Sequence, residues 1–342
     1  MRKIIFLGLL IIIAFSSCEK LLMPKEKSEK PTEVFEELWK TLDRGYTYFD
    51  YKGVRWDSVY MLYRPKISDT MTERALYDTC VQMINLLRDG SVSLNAGFAT
   101  SFYNTTEGYA ANFRKDLLER SYWKGYERTG PFMYKVIDSV GYIYYSSFND
   151  DVNDAQIDVM IDFLKGSGGT KGTILDIRNN TGGKTENMFT MFHHLGIDSS
   201  FEYSIYLFAT AYKNGVEHDA ISDFIGSYIE NNDKRKFGRK TVVLTNRANY
   251  GVASLFATGA KGFTRHRVRV MGDTTGGGGA IPASYELPNG WIIKYPTSIV
   301  KDADGSYIEN GVAPDTVVTM KPADEALNKD SMIDAALAEI LK

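Results

Sequence analysis

The sequence predicts an α/β protein with a small helical unit ahead of the main domain, and three observations carry that expectation. From about Gly130 short apolar strands alternate with amphipathic helical stretches, glycine-rich turns stand where strand gives way to helix, and Glu33 to about Leu94 shows helical spacing. At 342 residues, 44% hydrophobic and 24% charged, the chain is large enough for one big core and a smaller one. A formal charge of −3 and the lack of a dense Lys/Arg cluster give no electrostatic reason to expect a nucleic-acid partner. The aromatic clusters "GYTYFDYKG" and "GYIYYSSF" read as core and half-buried strand packing.

The first residues look like a targeting segment. "MRKIIFLGLLIIIAFSSCEK" has a basic start at Arg2 and Lys3, an apolar stretch Ile4–Phe15 too short to span a bilayer, and small residues before Cys18. Residues 1–17 are therefore expected to be a signal peptide. The "FSSC" ending resembles a bacterial lipobox, which implies cleavage before Cys18, lipidation of its thiol and a place in the cell envelope outside the cytoplasm. Plain secretion with Cys18 incidental is the alternative. Loss of Met1–Ser17 lowers the formal charge from −3 to −5, because Arg2 and Lys3 leave with it. Cys80 then has no partner for a disulfide and reads as a buried small hydrophobe.

Residues 18–32, charged and proline-containing, are expected to be an unfolded tether. Residues 33–97 form the helical N-terminal domain, with Phe35, Leu38, Trp39 and Leu42 on one helix face and Leu76, Cys80, Met83, Ile84 and Leu87 on another. Residues 98–129 connect it to a core domain, 130–342. There "VGYIYYSSF" is a strand, and "DAQIDVMIDFLKG" is a helix with Ile157, Met160, Ile161 and Leu164 on one face. "KGTILDI" is a strand and "TENMFTMFHHLG" a helix; after an irregular region come the strand "KTVVLT", the helix "GVASLFATGAKG" and the strand "RVRVMGD". Such alternation argues for a parallel sheet covered by helices. "YELPNGWIIKY" reads as a hairpin turning at "PNG".

Two strand–turn–helix units are where chemistry would sit. In "ILDIRNNTGGKTENMF", Gly182 and Gly183 let the backbone turn sharply and point N–H groups at a helix start, a ready oxyanion or carboxylate site, although a tight corner alone would also call for them. Asp176 and Arg178 share a strand face and read as an ion pair with other neighbours before acid–base catalysts. In "NRANYGVASLF" the first helical position, where a nucleophile would profit from unpaired N–H groups, is Gly251. "TTGGGG" lacks the Lys-Ser/Thr of a phosphate loop and reads as flexible backbone lining a cleft. His193, His194, His218 and His266 show no metal-ligand spacing, so neither a metal nor a cofactor is expected.

Taken together, the motifs resemble the tail-specific (C-terminal-processing) serine protease family, which also contains the tricorn core and interphotoreceptor retinoid-binding protein. "KGTILDIRNNTGG" looks like the family's "GLILDLRNNPGG" signature, and "VVLTNRANYGVASLFA" like its nucleophile segment. "GDTTGGGGAIPASYELPNGW" and "NGVAPDTVVTMKPADEALNKDSMIDAAL" resemble the end of the domain in short lipoprotein forms from gut-type bacteria, and "FEELWKTLDRGYTYFDYKGVRWDSVYMLY" its helical N-terminal part. The resemblance implies a crotonase-like sheet-and-helix protease core and a cleft that takes an extended peptide with its carboxyl end near the oxyanion hole. It places that hole at Gly182, Gly183 and the N–H of Val252. It puts the nucleophile slot at Gly251, the histidine slot at Ser91 in "RDGSVSL", and the alternative lysine slot within Gly276–Gly279.

Neither the attacking atom nor its usual base is present, so the family mechanism cannot run as written. Ser254, three residues along the helix, is a possible substitute, and equally a small residue packed beneath the site. Ser91 approaching from the helical domain is another, though unassisted serine is a poor nucleophile. The side chains favour a catalytically impaired relative that binds peptide C-termini or another extended ligand. An active serine-type peptidase using a relocated serine is the alternative, and a structural lipoprotein with no ligand is a third reading.

Overall fold

The computed structural model describes residues 29–166, 169–195, 204–230, 232–237, 239–263 and 267–342. The signal segment, Cys18, most of the tether and His266 lie outside the described residues.

Helix α1 spans Pro31–Gly45, so folded structure starts inside the expected tether. Pro31 suits the first turn, where a helix has no use for the missing N–H, and Thr32 is held through its N–H and hydroxyl by the Asp69 carboxylate. Helices α2 (Trp56–Tyr63) and α3 (Glu73–Ile84) follow, and α3 is capped by the Thr72 hydroxyl accepting from the N–H of Ala75 at 3.2 Å. The anticipated stripes are buried, among them Phe35, Leu38, Leu42, Leu76, Met83 and Ile84. Cys80 is fully buried too, and burial pushes its thiol up to about 12.

These helices do not close a core of their own. Strand β1 (Ser93–Asn95) pairs with a strand from the far end of the chain, and the apolar cluster around Phe35 and Trp56 is completed by Leu287, Trp291, Ile293 and Tyr295.

The main sheet has seven strands. Along the chain they are β2 (Glu127–Thr129), β3 (Phe132–Ile137), β4 (Val140–Tyr145), β5 (Gly172–Asp176), β8 (Lys240–Thr245), β9 (Val268–Gly272) and β13 (Thr316–Val317), in the spatial order β13-β9-β8-β5-β4-β3-β2. From β13 to β4 the neighbours are parallel, as expected, but β3 and β2 are antiparallel, so the sheet is mixed. Helices α4 (Asp154–Gly166), α5 (Thr185–His194) and α6 (Val252–Gly262) cover one face through Ile161, Phe192 and Phe256, packed on Ile143, Leu175 and Val243. The C-terminal helix α7 (Ser331–Leu341) covers the other through Ile333, Leu337 and Ile340, against Ile174, Val242 and Leu244. Burial on both faces explains why "TILD" and "TVVL" read as continuous apolar runs.

The region without clear period holds two strands, β6 (Ile205–Tyr212) and β7 (Ile225–Ile229), which join β12 (Ser298–Lys301) in a separate antiparallel sheet ordered β12-β6-β7. The foreseen hairpin is β10 (Pro282–Glu286) and β11 (Ile292–Pro296), and β11 is the centre of the third sheet, β1-β11-β10. One end of that hairpin lies beside the turns that follow β5 and β8, and there the site forms.

Candidate active site

Two loops leave the carboxyl ends of the neighbouring parallel strands β5 and β8, and asparagines stitch them together. The Asn246 side chain accepts from the N–H of Asn179 at 2.9 Å and donates to Asn179 Oδ1 at 2.7 Å, while Asn249 donates to the carbonyl of Asn180 at 3.2 Å. An amide side chain both donates and accepts, so it can serve two irregular backbones at once. Beneath them Arg178, fully buried, pairs with Asp176 at 2.6 Å and Asp330 at 3.0 Å, and Tyr142 donates to Asp176 at 2.9 Å. Asp176 and Arg178 are thus fixing groups, wholly buried and absent from the cavity lining.

Gly251 is the N-cap of α6 with φ 59° and ψ −124°, a combination that L side chains rarely adopt. Its N–H donates to the carbonyl of Gly277 at 2.8 Å. The sharp strand-to-helix elbow expected at Gly251 is therefore formed. A Cβ built on Gly251 would meet only Gly278 O at 3.7 Å and Thr181 O at 3.9 Å, ordinary contacts, so the slot has room for a side chain it does not carry.

The Gly-Gly turn packs against this elbow. A Cβ on Gly182 would lie 2.9 Å from the N of Val252, and one on Gly183 would lie 2.3 Å from the carbonyl carbon of Phe148, so neither glycine can be replaced without movement. Of the three expected donors, Gly182 gives its N–H to Asn180 Oδ1 at 2.9 Å and is not free to hold a ligand. The N–H groups of Gly183 and Val252 have no acceptor among the described residues. Paired at the start of an eleven-residue helix, they are a small anion cradle.

Both slots open on one cavity of about 660 Å³, with Gly183, Gly251, Val252, Ser91 and Tyr250 among its walls. Ser91 shares a hydrogen bond of 2.9 Å with the phenol of Tyr250, and its N–H donates to Asp89 at 2.7 Å. Asp89 also accepts from Tyr46 at 2.9 Å. Burial, followed by the Asp89 charge, raises Tyr250 far above the ordinary phenol range, so its oxygen is a neutral hydroxyl. Behind it Glu309 is buried, paired with Lys52 at 2.9 Å, and pushed up to about 8 by burial and by Asp89.

Ser254 is a structural residue. It is wholly buried, donates to the carbonyl of Asn249 at 3.1 Å and accepts from the N–H of Gly277 at 3.2 Å, so it props the elbow from below and does not face the cavity. The "GGGG" segment does line the cavity, through Gly278 and Gly279, but its expected flexibility needs correction, because it is packed tight. A Cβ on Gly277 would sit 1.8 Å from the carbonyl oxygen of Glu309, and one on Gly278 would sit 2.0 Å from Tyr250 Cζ. These glycines permit close approach, and the Tyr250 ring fills the space above Gly278. None of the three described histidines lines the cavity. His194 is buried between Asp154 at 3.0 Å and the carbonyl of Arg235 at 2.6 Å, and His218 bonds Asp43 at 2.7 Å.

Tyr250 and Asp89 stood in plain view within motifs, yet only their meeting across the two parts of the chain marks them. The asparagines of "RNN" and "NRAN" did carry a local signal, since two irregular turns in sequence each need side chains that bond backbone.

Comparison with known proteins bears on the family and the fold. The family model described as peptidase family S41 matches residues 139–318, and that of the tricorn protease C1 domain matches residues 28–85. The carboxy-terminal processing protease CtpA of Bacillus subtilis (strain 168) is 29% identical over 178 residues, 52% of this chain and 34% of that protein, so the match spans about a third of the relative's length. A crystal structure of a candidate peptidase from Parabacteroides merdae ATCC 43184 superposes with a TM-score of 0.84 at 33% identity, covering 92% of this chain and 98% of that one. Mature CPAF shares the fold, with a TM-score of 0.63 at 11% identity over 92% of this chain and 97% of that one. With a family model spanning more than half of its residues, the chain belongs to peptidase family S41.

Proposed function

We propose that this chain is a non-catalytic member of its family that binds the carboxyl terminus of a peptide, or a similar extended ligand, in the cavity beside Gly251. The observation that carries this reading is the elbow: its backbone is set, its donors at Gly183 and Val252 have no acceptor among the described residues, and it bears no hydroxyl. A tetrahedral intermediate cannot form on a glycine, but a carboxylate can occupy the same N–H pair, in the space a nucleophile's side chain would take. The base slot supports the same reading, because Ser91 is bonded to a neutral phenol that has no tendency to accept its proton. In this reading the protein is held to a membrane of the cell envelope, outside the cytoplasm, by a lipid on Cys18. Incorporation of a clickable fatty acid, lost in Cys18→Ala, tests that part.

An active peptidase remains the second reading, and one observation favours it: Ser91 lines the same cavity as the donor pair. A serine-directed fluorophosphonate probe separates the two. The non-catalytic reading expects no labelling of the mature protein under conditions that label an active relative. Labelling mapped to Ser91 and abolished in Ser91→Ala would replace it with a relocated nucleophile.

A further inference from the structure

The cavity carries a charge that the donor pair does not explain. Its floor is apolar, built from Val252, Leu255, Ala280, Ile281 and the exposed Phe102. Three charged side chains line it: Lys184, paired with Asp151 at 2.5 Å, the exposed Glu186 in the first turn of α5, and Lys294. Lys294 is different. It sits on β11, the central strand of the sheet β1-β11-β10, with Ser93 directly across on β1 and Ser284 directly across on β10. Those short side chains leave its ammonium exposed, and no acceptor among the described residues reaches it. The opposite face of the same sheet, with Leu94, Ile293 and Tyr295, is buried against the helices, so the strand is fixed in place and Lys294 is held at the cavity wall.

We infer that Lys294 is a specificity residue, and that the ligand is a peptide carrying an acidic side chain within a few residues of an apolar carboxyl terminus. The inference rests on the binding reading above and adds the substrate class. The terminal carboxylate takes the Gly183 and Val252 N–H groups, the last side chain lies on the apolar floor, and an upstream Asp or Glu meets the ammonium. Lys294 is exposed, so solvent screens that pairing and limits it to a modest factor.

The test is fluorescence anisotropy with peptides that end in an apolar residue and carry Glu, Gln or Lys at the second, third or fourth place from the end, each as free acid and as amide. For at least one of these places, Glu peptides should bind about two- to fivefold tighter than Gln peptides and Lys peptides weaker still. Lys294→Glu should reverse the order, and Lys294→Arg should keep it. Amidation should weaken every peptide in all three proteins. If Glu, Gln and Lys peptides bind alike, or Lys294→Glu leaves the order unchanged while amidation still weakens binding, the Lys294 inference fails and the cleft reading stands. If free acids bind no better than amides, the cleft reading itself fails and the inference falls with it.

Discussion

Gly182 and Gly251 are adjacent in space and opposite in consequence. At Gly182 an added methyl would press on the N of Val252 at 2.9 Å, so Gly182→Ala displaces one of the two donors. Losing a hydrogen bond to a charged group corresponds to about a tenfold to hundredfold weaker Kd for a free-acid peptide, measurable by anisotropy, with little change for the amide. At Gly251 the space is open and only the backbone is unfavourable, so Gly251→Ser should fold with a loss of about 1–3 kcal/mol, read by chemical denaturation. Alone it should hydrolyse nothing, since Ser91 offers no base. Combined with Ser91→His it should gain measurable peptidase activity, and an inert but folded double variant would mean that the slots are not the ones assigned. The sharp turns at these glycines were legible because glycine after a buried strand has a short list of causes. Tyr250 over Gly278 was not, since composition does not tell whether glycines supply freedom or close approach. Ser254 likewise faced two ways until its burial was known.

Strand β5 and the loop behind it depend on helix α7 through one buried arginine. Asp330 does double service, pairing with Arg178 and accepting from the N–H groups of Met332 and Ile333, each at 3.0 Å. Asp330→Ala therefore removes a helix cap and one of the two carboxylates on Arg178, which keeps Asp176 as its partner, and should cost about 2–4 kcal/mol in an unfolding experiment, more than an exposed cap would. Hydrogen exchange should show the loss spreading to residues 177–183, because Arg178 holds that turn from beneath. The elements themselves were readable from period: Ile157, Met160, Ile161 and Leu164 face inward as spaced. Their partners were not. Alternation says which face of β11 is buried, and nothing in the hairpin's own residues says that Ile293 will lie among helices from the other end of the chain. Strands β6 and β7 went unseen because their exposed apolar residues, such as Ile225 and Tyr228, blur the alternation.

The two parts of the molecule meet around a buried polar cluster. Lys52 comes from the helical part, Glu309 from the core, and Asp89 from the loop that carries Ser91. Glu309 holds its proton up to about 8, against an ordinary value of 4.5, so between those values the folded state binds a proton that the unfolded chain has released. Stability is then highest at the acid end of that window and falls as pH rises from about 4.5 to about 8, by a few kcal/mol. Thermal unfolding at pH 5 and pH 8.5 should show this fall, and Glu309→Gln should flatten it. A melting temperature that rises across the same range because of Glu309 would contradict the assignment.

At this scale the central claim is that the fold keeps a protease's cleft without its chemistry. It is tested most directly by incubating the mature protein with a saturating apolar-ended peptide, isolating the complex and determining the mass of the bound peptide. The account predicts an intact peptide, retained when its carboxyl end is free and lost when that end is amidated. A shortened peptide, produced by wild-type protein and not by Ser91→Ala, would contradict it.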